Sequence, residues 1–258
     1  MAFSQLYLYD HYGYAFLAVV GTFAMVWGIY WLMASSRCAT RIRGLHGVAP
    51  PFINIIGVLF GLTLAFLAND TWNAHDRATT AVYREADSLR SILTMARNID
   101  LPIMQQLNRQ LIDYGEAIVA EWPQLAQRGV SSDAAAQADA LLVLLIRPEI
   151  AQAAGGNGQM LMLQKAADLR NDRDLRISLS QTHINPLKWL GMAFLGLLTL
   201  LSVAVVHAEN AKAALVATLL FALAAAPTAA IVLVQGNPFQ EPSIVSPAPI
   251  RHAIGEGR

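Results

Sequence analysis

The feature that most constrains this chain is one uninterrupted stretch that is apolar in its first half and polar in its second. Residues 50–68 read Pro-Pro-Phe-Ile-Asn-Ile-Ile-Gly-Val-Leu-Phe-Gly-Leu-Thr-Leu-Ala-Phe-Leu-Ala, and residues 69–97 follow with neither glycine nor proline. At ~1.5 Å per residue, the apolar half reaches roughly 28 Å, about the thickness of a bilayer core. The stretch therefore predicts one helix that crosses a membrane and continues into water.

The composition excludes several classes of protein. With 55% hydrophobic and only 14% charged residues in 258, the chain is too apolar for an ordinary soluble domain. The 18 basic and 18 acidic residues cancel, so no basic surface for nucleic acid is expected. Cys38 is the only cysteine, which excludes an intramolecular disulfide and a cysteine-rich metal site.

Four apolar runs are long enough to cross a membrane. They cover Tyr14–Ala34, Pro50–Ala68, Trp189–Val206 and Ala213–Val234, the last of which is interrupted by Pro227. Aromatic residues flank the first run, as is typical of the interfaces of a bilayer. Because only six residues separate the third and fourth runs, these two spans are predicted to form a tight hairpin.

The central segment, residues 69–186, is polar, but its apolar residues recur at three- and four-residue steps, which indicates helices with one buried face. We expect a small helical bundle there. Its predicted helices are the extension of span two to Arg97, Pro102 to Pro123, Ser131 to Ile146 and Gln159 to about Ser180, with a loop at Gly155–Gly158.

The predicted fold class is an all-α membrane protein. Four transmembrane helices carry a helical bundle inserted between spans two and three, and both of these spans are continuous with bundle helices. The predicted regions are the N-terminal tail with spans one and two (1–68), the water-facing bundle (69–186), the hairpin of spans three and four (187–235) and a proline-rich extended tail (236–258).

Lysine and arginine in the short loops predict the orientation. Arg37, Arg41 and Arg43 lie between spans one and two, and Lys212 lies between spans three and four. This places both short loops in the cytoplasm and the bundle and both termini outside it. Basic residues at the ends of the bundle oppose this orientation, but long regions translocate largely regardless of charge; they are Arg77, Arg84, Arg170, Arg173, Arg176 and Lys188.

The charged residues of the central segment suggest ion pairs rather than chemistry. Glu85 is expected to join bundle helices through a network with its neighbours Arg84, Asp87 and Arg90. Asp172 and Arg176 are spaced for a pair one helical turn apart. Glu121, directly before Trp122 and Pro123, is expected at the end of a helix.

Span two carries the candidate functional residues. A helical wheel brings small and polar residues to one face, and these are Asn54, Gly57, Gly61, Ala65, Ala68, Asn69 and Trp72. One interpretation is a pore-lining helix, with Asn54 as a polar ring and Asn69 and Asp70 at the outer mouth, where acids favour cations. The other interpretation is close packing, because Gly57 and Gly61 form a small-xxx-small pair and Asn54 can bond a neighbouring helix.

Other chemistry finds no support. His75 and Asp76 are adjacent, with no second ligand three or four residues away, so no metal site is expected on this helix. No glycine-rich phosphate loop, nucleophile elbow or serine–histidine–aspartate set is present. We therefore expect neither an enzyme nor a cofactor.

Three places in the chain resemble a known family. They are the span from Gly57 followed by Trp72 and by Ala81-Val82-Tyr83-Arg84-Glu85-Ala86-Asp87-Ser88-Leu89; Tyr114 with Glu121-Trp122-Pro123; and Asn237-Pro238-Phe239 with a Ser-Pro soon after it. The chain is similar here to the largely uncharacterised bacterial bestrophin-like membrane proteins, which implies residence in the bacterial inner membrane. The family shares its name with eukaryotic bestrophins, which are oligomeric chloride channels. Their region between spans two and three is cytoplasmic, unlike the orientation expected here.

Two functions remain open. The first is a homo-oligomeric ion channel or permeation protein in which span two lines the path for inorganic ions. Four helices barely enclose a water-filled path, so this function requires several subunits. The second is a non-conducting membrane-anchored scaffold or sensor whose extracytoplasmic bundle binds a ligand or partner. Both place the protein in contact with the lipid bilayer and neither involves nucleic acid.

Overall fold

The structure, a computed structural model, describes residues 10–35, 49–181 and 186–255. These residues form helices joined by short turns, and they contain no β-strand. The helices are α1 (Asp10–Ala34), α2 (Ala49–Arg97), α3 (Pro102–Ala126), α4 (Ser132–Leu145), α5 (Pro148–Gln181), α6 (Pro186–Val206), α7 (Ala211–Val234) and α8 (Ala248–Ile254). The expected all-α class with four candidate membrane spans is confirmed.

Helix α2 is the long element that the sequence predicts. It runs from Ala49 to Arg97 without a break. Four helices are long and apolar enough to cross a membrane, namely α1, α2, α6 and α7. The chain is therefore a multi-pass membrane protein, and it divides into two compact units: Met1–Trp72 with His183–Gly236, and Asn73–Thr182 with Asn237–Arg258.

The first unit contains the spans. Helix α1 packs on α7 and α6 through apolar side chains: Val26, Ile29, Met33, Leu200, Ala204, Ala214 and Ala222. Helix α2 contributes Phe60, Leu67 and Ala68 to a second cluster with α6 and α7. The ring of Phe60 lies 5.4 Å from that of Phe221, and a Cβ built on Gly196 would lie 3.2 Å from the Phe60 ring. Glycine at position 196 thus lets this ring lie close to α6.

The second unit is built around an apolar core shared by the polar half of α2 and by α3, α4, α5 and α8. Leu89, Leu107 and Leu145 are fully buried in it. The helix ends follow ordinary capping chemistry: Pro102 occupies the first turn of α3, and the hydroxyl of Ser131 accepts a hydrogen bond from the amide of Ala134 at the start of α4.

Two prolines do not act as the sequence predicts. Helix α3 continues past Pro123 to Ala126, and α7 is not broken at Pro227. A proline removes one backbone hydrogen bond, but packing on both sides can hold the helix together. Around Pro227 the neighbouring Ala226 and Ala229 are buried, and near Pro123 both Trp122 and Leu125 are buried. The predicted helix end at Pro123 is therefore wrong, and the proline expected to interrupt the fourth span lies inside a continuous helix.

The predicted loop at Gly155–Gly158 is shorter than expected. Only Gly155 departs from helical geometry, with φ of 75°, and two helical segments of α5 meet at this kink. A positive φ favours glycine, whereas Gly156 and Gly158 adopt a conformation open to any residue. The side-chain amide of Gln159 donates to the carbonyls of Leu145 and Arg147, at 2.7 and 3.0 Å, and so ties α5 to the end of α4.

The tail is not extended along its whole length. Residues 248–254 form helix α8, in which Pro249 lies in the first turn, where no amide donor is required. Ile250 and Ile254 are buried in the core of the second unit. A Cβ at Gly115 would overlap the side chain of Ile254, so glycine at position 115 permits this close packing. The prediction missed α8 because it took every proline of the tail as incompatible with a helix, whereas a proline in the first turn is compatible with one.

Two predictions lie outside the described residues. Arg37, Arg41 and Arg43, which carry the orientation argument, belong to residues 36–48. The join between the last bundle helix and span three falls at residues 182–185.

Candidate functional site

The predicted stripe of α2 lies mostly on its open side. Five of its residues are exposed, namely Asn54, Gly61, Ala65, Asn69 and Trp72, whereas Gly57 is half-buried; Asp70 beside the stripe is exposed as well. A Cβ built on Gly57 or Gly61 would have no neighbour within 4 Å among the described residues. Within the part of the chain that the structure describes, this small-residue pair therefore has no partner helix. Ala68 differs, because it packs in the cluster with Phe60.

The polar end of the stripe is tied to the helices of its own unit. The ammonium of Lys188 lies 2.8 Å from Oδ2 of Asp70, and both side chains are 56% exposed. The indole Nε1 of Trp72 donates to Oε1 of Gln235 at 3.2 Å. Asp70 is thus paired with a lysine. If several subunits placed Asp70 in a ring, that ring would consist of ion pairs and not of carboxylates alone.

A second open face of α2 adjoins the stripe and has a different character. It carries large apolar side chains, namely Ile55, Val58, Leu59, Leu62 and Phe66, which are all exposed. Phe60 and Leu67 on the remaining face are buried within the unit. The apolar half of α2 therefore has one face packed on its own chain, one small and polar face, and one bulky apolar face.

The second unit contains a cluster of four buried charges that sequence analysis did not assemble. Glu85 of α2, Glu121 of α3 and Arg173 and Arg176 of α5 are each at most 6% exposed. Arg176 Nε lies 3.1 Å from Glu85 Oε2, and its Nη2 lies 3.2 Å from Glu121 Oε2. Arg173 Nη2 lies 2.6 Å from Glu121 Oε1. Two acids and two bases thus form one neutral network that links three helices.

Further hydrogen bonds complete the network. The hydroxyl of Tyr114 donates to Glu85 Oε1 at 3.2 Å, and the amide of Ser131 donates to Glu121 Oε1 at 3.0 Å. The guanidinium carbon of Arg176 lies 4.7 Å from the centroid of the Trp122 ring, a cation–π contact. Nη1 of Arg176 is buried and has no hydrogen-bond partner among the described residues.

The electrostatics of the cluster follow from its burial. Burial lowers the pKa of Arg176, but Glu85 and Glu121 more than offset this effect, so its pKa is raised and the residue stays charged. Burial and the adjacent Glu85 carboxylate raise the pKa of Tyr114 well above its usual value. Tyr114 therefore remains a neutral hydrogen-bond donor to Glu85.

The C-terminal segment packs on the end of α3, next to the charge cluster. The indole Nε1 of Trp122 donates to the carbonyl of Val245 at 2.7 Å, and the Trp122 ring meets Phe239 edge-on at 5.7 Å. The side-chain amide of Asn237 donates to the carbonyl of Leu125 at 3.2 Å. The tail is thereby fixed to the end of α3, beside the charge cluster.

Several predicted ion pairs are wrong. Glu85 does join two helices of the second unit, as expected, but its partner is Arg176, whereas Arg84, Asp87 and Arg90 are exposed and lie outside the cluster. Arg176 pairs with the two glutamates rather than with Asp172. Glu121 does not end a helix but lies inside α3 and is fully buried.

A signal for the cluster was present in the sequence. Arg173 and Arg176 continue the buried stripe of Met162, Ala166 and Leu169 at three- and four-residue steps. Glu85 interrupts the buried stripe of α2 in the same way. Charged residues at positions where the period predicts apolar ones indicate buried, paired charges.

Two cavities flank the polar half of α2. One, of about 620 Å³, lies between α2 and residues 244–252. The other, of about 700 Å³, lies between α2 and α5 and is lined on the α5 side by Lys165, Asp168, Asn171 and Asp172. Burial raises the pKa of Asp172, although the nearby Arg84 counteracts this effect. Tyr83 and Asp87 line both cavities.

The three motifs singled out by the sequence meet in the second unit. Glu85, the pair Glu121 and Trp122, and the segment from Asn237 to Phe239 are joined by the contacts described above. Comparison with known proteins gives one match: the model of the family described as Bestrophin-like domain matches residues 18–250. No curated protein and no solved structure matches.

Proposed function

Because the chain belongs to the Bestrophin-like domain family, we propose that it is a homo-oligomeric ion channel or related permeation protein whose helix α2 lines the path. The lining residues in this proposal are Asn54, Gly57, Gly61, Ala65, Asn69, Asp70 and Trp72. Inorganic ions are the permeant species, and the protein resides in the inner membrane of a bacterium.

The observation that carries the proposal is the open stripe of α2. Polar Asn54 and the small residues Gly57 and Gly61 face away from the helices of their own unit. An asparagine side-chain amide that faces lipid without a hydrogen-bond partner is energetically unfavourable, because hydrocarbon can neither donate nor accept a hydrogen bond. Water in a path between subunits would satisfy this amide, and the small residues beside it would leave room for that water.

The bulky face of α2 supports assembly from several copies. One chain supplies too few spans to enclose a path, so the stripe requires neighbouring subunits. Leu62 and Phe66 are exposed beside the stripe. In an oligomer they would pack on the adjacent subunit or on lipid, while the stripe faces the axis.

The arrangement of the water-facing part also belongs to this proposal. We infer that residues 69–186 form a helical bundle inserted between spans two and three, on the extracytoplasmic side together with both termini. The short-loop arginines and Lys212 support this orientation. The paired Lys188 and Asp70 would then lie at the outer mouth.

A second candidate function is favoured by the 620 Å³ cavity. A cavity of this size is within the range of small-molecule sites, and it lies entirely within the second unit. A non-conducting membrane-anchored sensor would use it to bind a ligand. No catalytic role is proposed for either function.

The test is ion flux from liposomes that contain the purified full-length protein. Asn54→Leu and Gly61→Leu place bulk on the stripe and should reduce flux by about tenfold or more, because both narrow a water-filled path. Leu62→Phe enlarges a side chain on the adjacent face and should leave flux within about twofold. Asp70→Asn leaves Lys188 unpaired at the mouth, and cation flux should fall relative to anion flux.

Control and test variants must be equally folded and equally oligomeric by size-exclusion chromatography. Tight vesicles with folded, oligomeric wild-type protein would overturn the channel and favour the sensor. Equal loss of flux in Gly61→Leu and Leu62→Phe would show that the stripe has no special role.

A further inference from the structure

The cavity between α2 and residues 244–252 combines an apolar wall with charged groups. Ile244, which is 46% exposed, lines it beside the buried residues Val82, Ala86 and Val245. Pro249 and Ala248 extend the apolar lining on the side of the C-terminal segment. This surface can accept a hydrocarbon group, which would lose contact with water on binding.

Two opposite charges also line the cavity. Asp87 and Arg90 lie one helical turn apart on α2, and both are exposed. Among the residues that the structure describes, neither forms an ion pair, with the other or with a third group. The second cavity differs, because two of its charged lining residues, Lys165 and Asp168, lie 3.8 Å apart and form an ion pair.

Three further polar side chains of the lining are also available. His75 and Tyr83 of α2 and His252 of α8 line the cavity, and neither the imidazole nitrogens nor the Tyr83 hydroxyl makes a hydrogen bond with a described residue. They differ from Ser246, whose hydroxyl accepts a hydrogen bond from the amide of Ala248. The cavity therefore offers one carboxylate, one guanidinium and further donors that its own walls leave unused.

This combination selects among ligand classes. A simple anion would pair with Arg90 but would be repelled by Asp87, and a simple cation would face the opposite problem. A ligand that carries a carboxylate and an ammonium group can pair with both residues at once. If it also carries a large apolar group, that group can cover the apolar lining at Ile244, Ala248 and Pro249.

We propose that this cavity binds a zwitterionic α-amino acid with a large apolar side chain, such as leucine or phenylalanine. Arg90 holds the carboxylate, aided by His75 or His252, and Asp87 holds the ammonium. A volume of about 620 Å³ has room for such a molecule. The proposal concerns the second unit alone and does not depend on whether the assembly conducts ions.

The test is isothermal titration calorimetry on the full-length protein in nanodiscs of phosphatidylglycerol, a lipid without an ammonium group. The probes are leucine, 4-methylpentanoate, which lacks the ammonium, and 3-methylbutylamine, which lacks the carboxylate. Leucine should bind about tenfold or more tightly than either analogue, because each analogue leaves one charge of the cavity unpaired.

Single substitutions test the two assigned roles. Asp87→Asn should remove the preference for leucine over 4-methylpentanoate, and Arg90→Gln should remove the preference over 3-methylbutylamine. Asp76→Asn and Arg77→Gln are matched controls, because these residues are exposed on the same helix but do not line the cavity. Both controls should bind leucine as the wild type does.

Four results would overturn the proposal. The first three are absence of leucine binding, equal binding of leucine and both analogues, and equal effects of the lining and control substitutions. A fourth probe, phosphoethanolamine, separates amino acids from lipid headgroups of the same charge pattern. Tighter binding of phosphoethanolamine than of leucine would overturn the amino-acid assignment. Ion flux is measured separately, so failure of binding and failure of conduction remain distinguishable.

Discussion

The two units place apolar and charged side chains in opposite ways. In the first unit, Phe16, Trp27 and Phe66 are between 67% and 70% exposed. In the second unit, Glu85, Glu121 and Arg176 are fully buried. Exposed apolar surface costs about 25 cal/mol per Å² in water, so the first arrangement requires lipid around it. The comparison shows that the two halves of α2 suit different surroundings: the apolar half suits lipid, and the polar half suits a water-soluble core.

The difference extends to what holds each unit together. Helices of the first unit meet through small residues such as Ala204, Ala214 and Ala222, which is typical where lipid removes most of the hydrophobic driving force. The second unit has a core of large aliphatic side chains in addition to its charge cluster. Substitutions should therefore affect the first unit through packing and the second through both packing and electrostatics.

The largest expected effect is that of Arg176→Met. The methionine fills similar space, but it leaves Glu85 buried without its cation and Glu121 with Arg173 alone. Removal of one partner of a buried ion pair costs about 3–5 kcal/mol of unfolding free energy. Chemical denaturation of the full-length protein in detergent, followed by circular dichroism, measures the loss.

Arg170→Met is the matched control for this prediction. Arg170 lies on the same helix and pairs with Asp139, but its side chain is 57% exposed. An exposed pair contributes at most about 1 kcal/mol. Similar losses in the two variants would show that the buried cluster does not stabilise the second unit more than a surface pair does.

The double variant Glu85→Leu with Arg176→Met sharpens the result. It removes the buried carboxylate together with its cation, so it should recover part of the stability that Arg176→Met loses. Recovery of about 1 kcal/mol or more would assign the loss to an uncompensated charge. No recovery would assign it to lost packing against Trp122.

The next effect compares two phenylalanines of α2. Phe60 is 9% exposed and packs on Phe221, whereas Phe66 is 68% exposed. Phe60→Ala should cost about 2–4 kcal/mol because it leaves a cavity in the first unit. Phe66→Ala should change the stability of the subunit by less than about 1 kcal/mol. Thermal unfolding in detergent compares the two variants.

Phe66→Ala also tests assembly. If this bulky face packs on a neighbouring subunit, the variant should shift the oligomer towards smaller species in size-exclusion chromatography while the subunit stays folded. Loss of subunit stability equal to that of Phe60→Ala would contradict the assignment of Phe66 to an open face.

The period and length of the apolar runs predict most of the fold. They predict four spans. They also predict α2 as one helix, because the run after the second span contains no glycine or proline that would end it. The prolines and glycines were less informative. Pro123 and Pro227 lie inside helices because tertiary packing outweighs their local preference.

The charge cluster was harder to predict than the fold. Local spacing favours partners on the same helix, which is why Glu85 was assigned to Arg84 and Arg90. Its actual partner, Arg176, is far away in sequence, and the pairing depends on which faces of α2 and α5 meet. Only the position of these charges on buried stripes could have indicated that they are paired across helices.

The smallest expected effect is a pH dependence from Tyr114. Its folded-state pKa is raised well above its unfolded value by burial and by Glu85, so the folded protein keeps the phenol proton more tightly than the unfolded chain does. The contribution is fully present below the unfolded pKa of about 10 and is lost as pH rises above it, by at most about 1.4 kcal/mol per pH unit.

Tyr114→Phe lacks this titration. The variant should be less stable at neutral pH, because it loses the hydrogen bond to Glu85, but its unfolding free energy should fall less steeply above pH ~10. Parallel curves for the two proteins in denaturation between pH ~8 and ~11 would show that Tyr114 is not held neutral by the buried cluster.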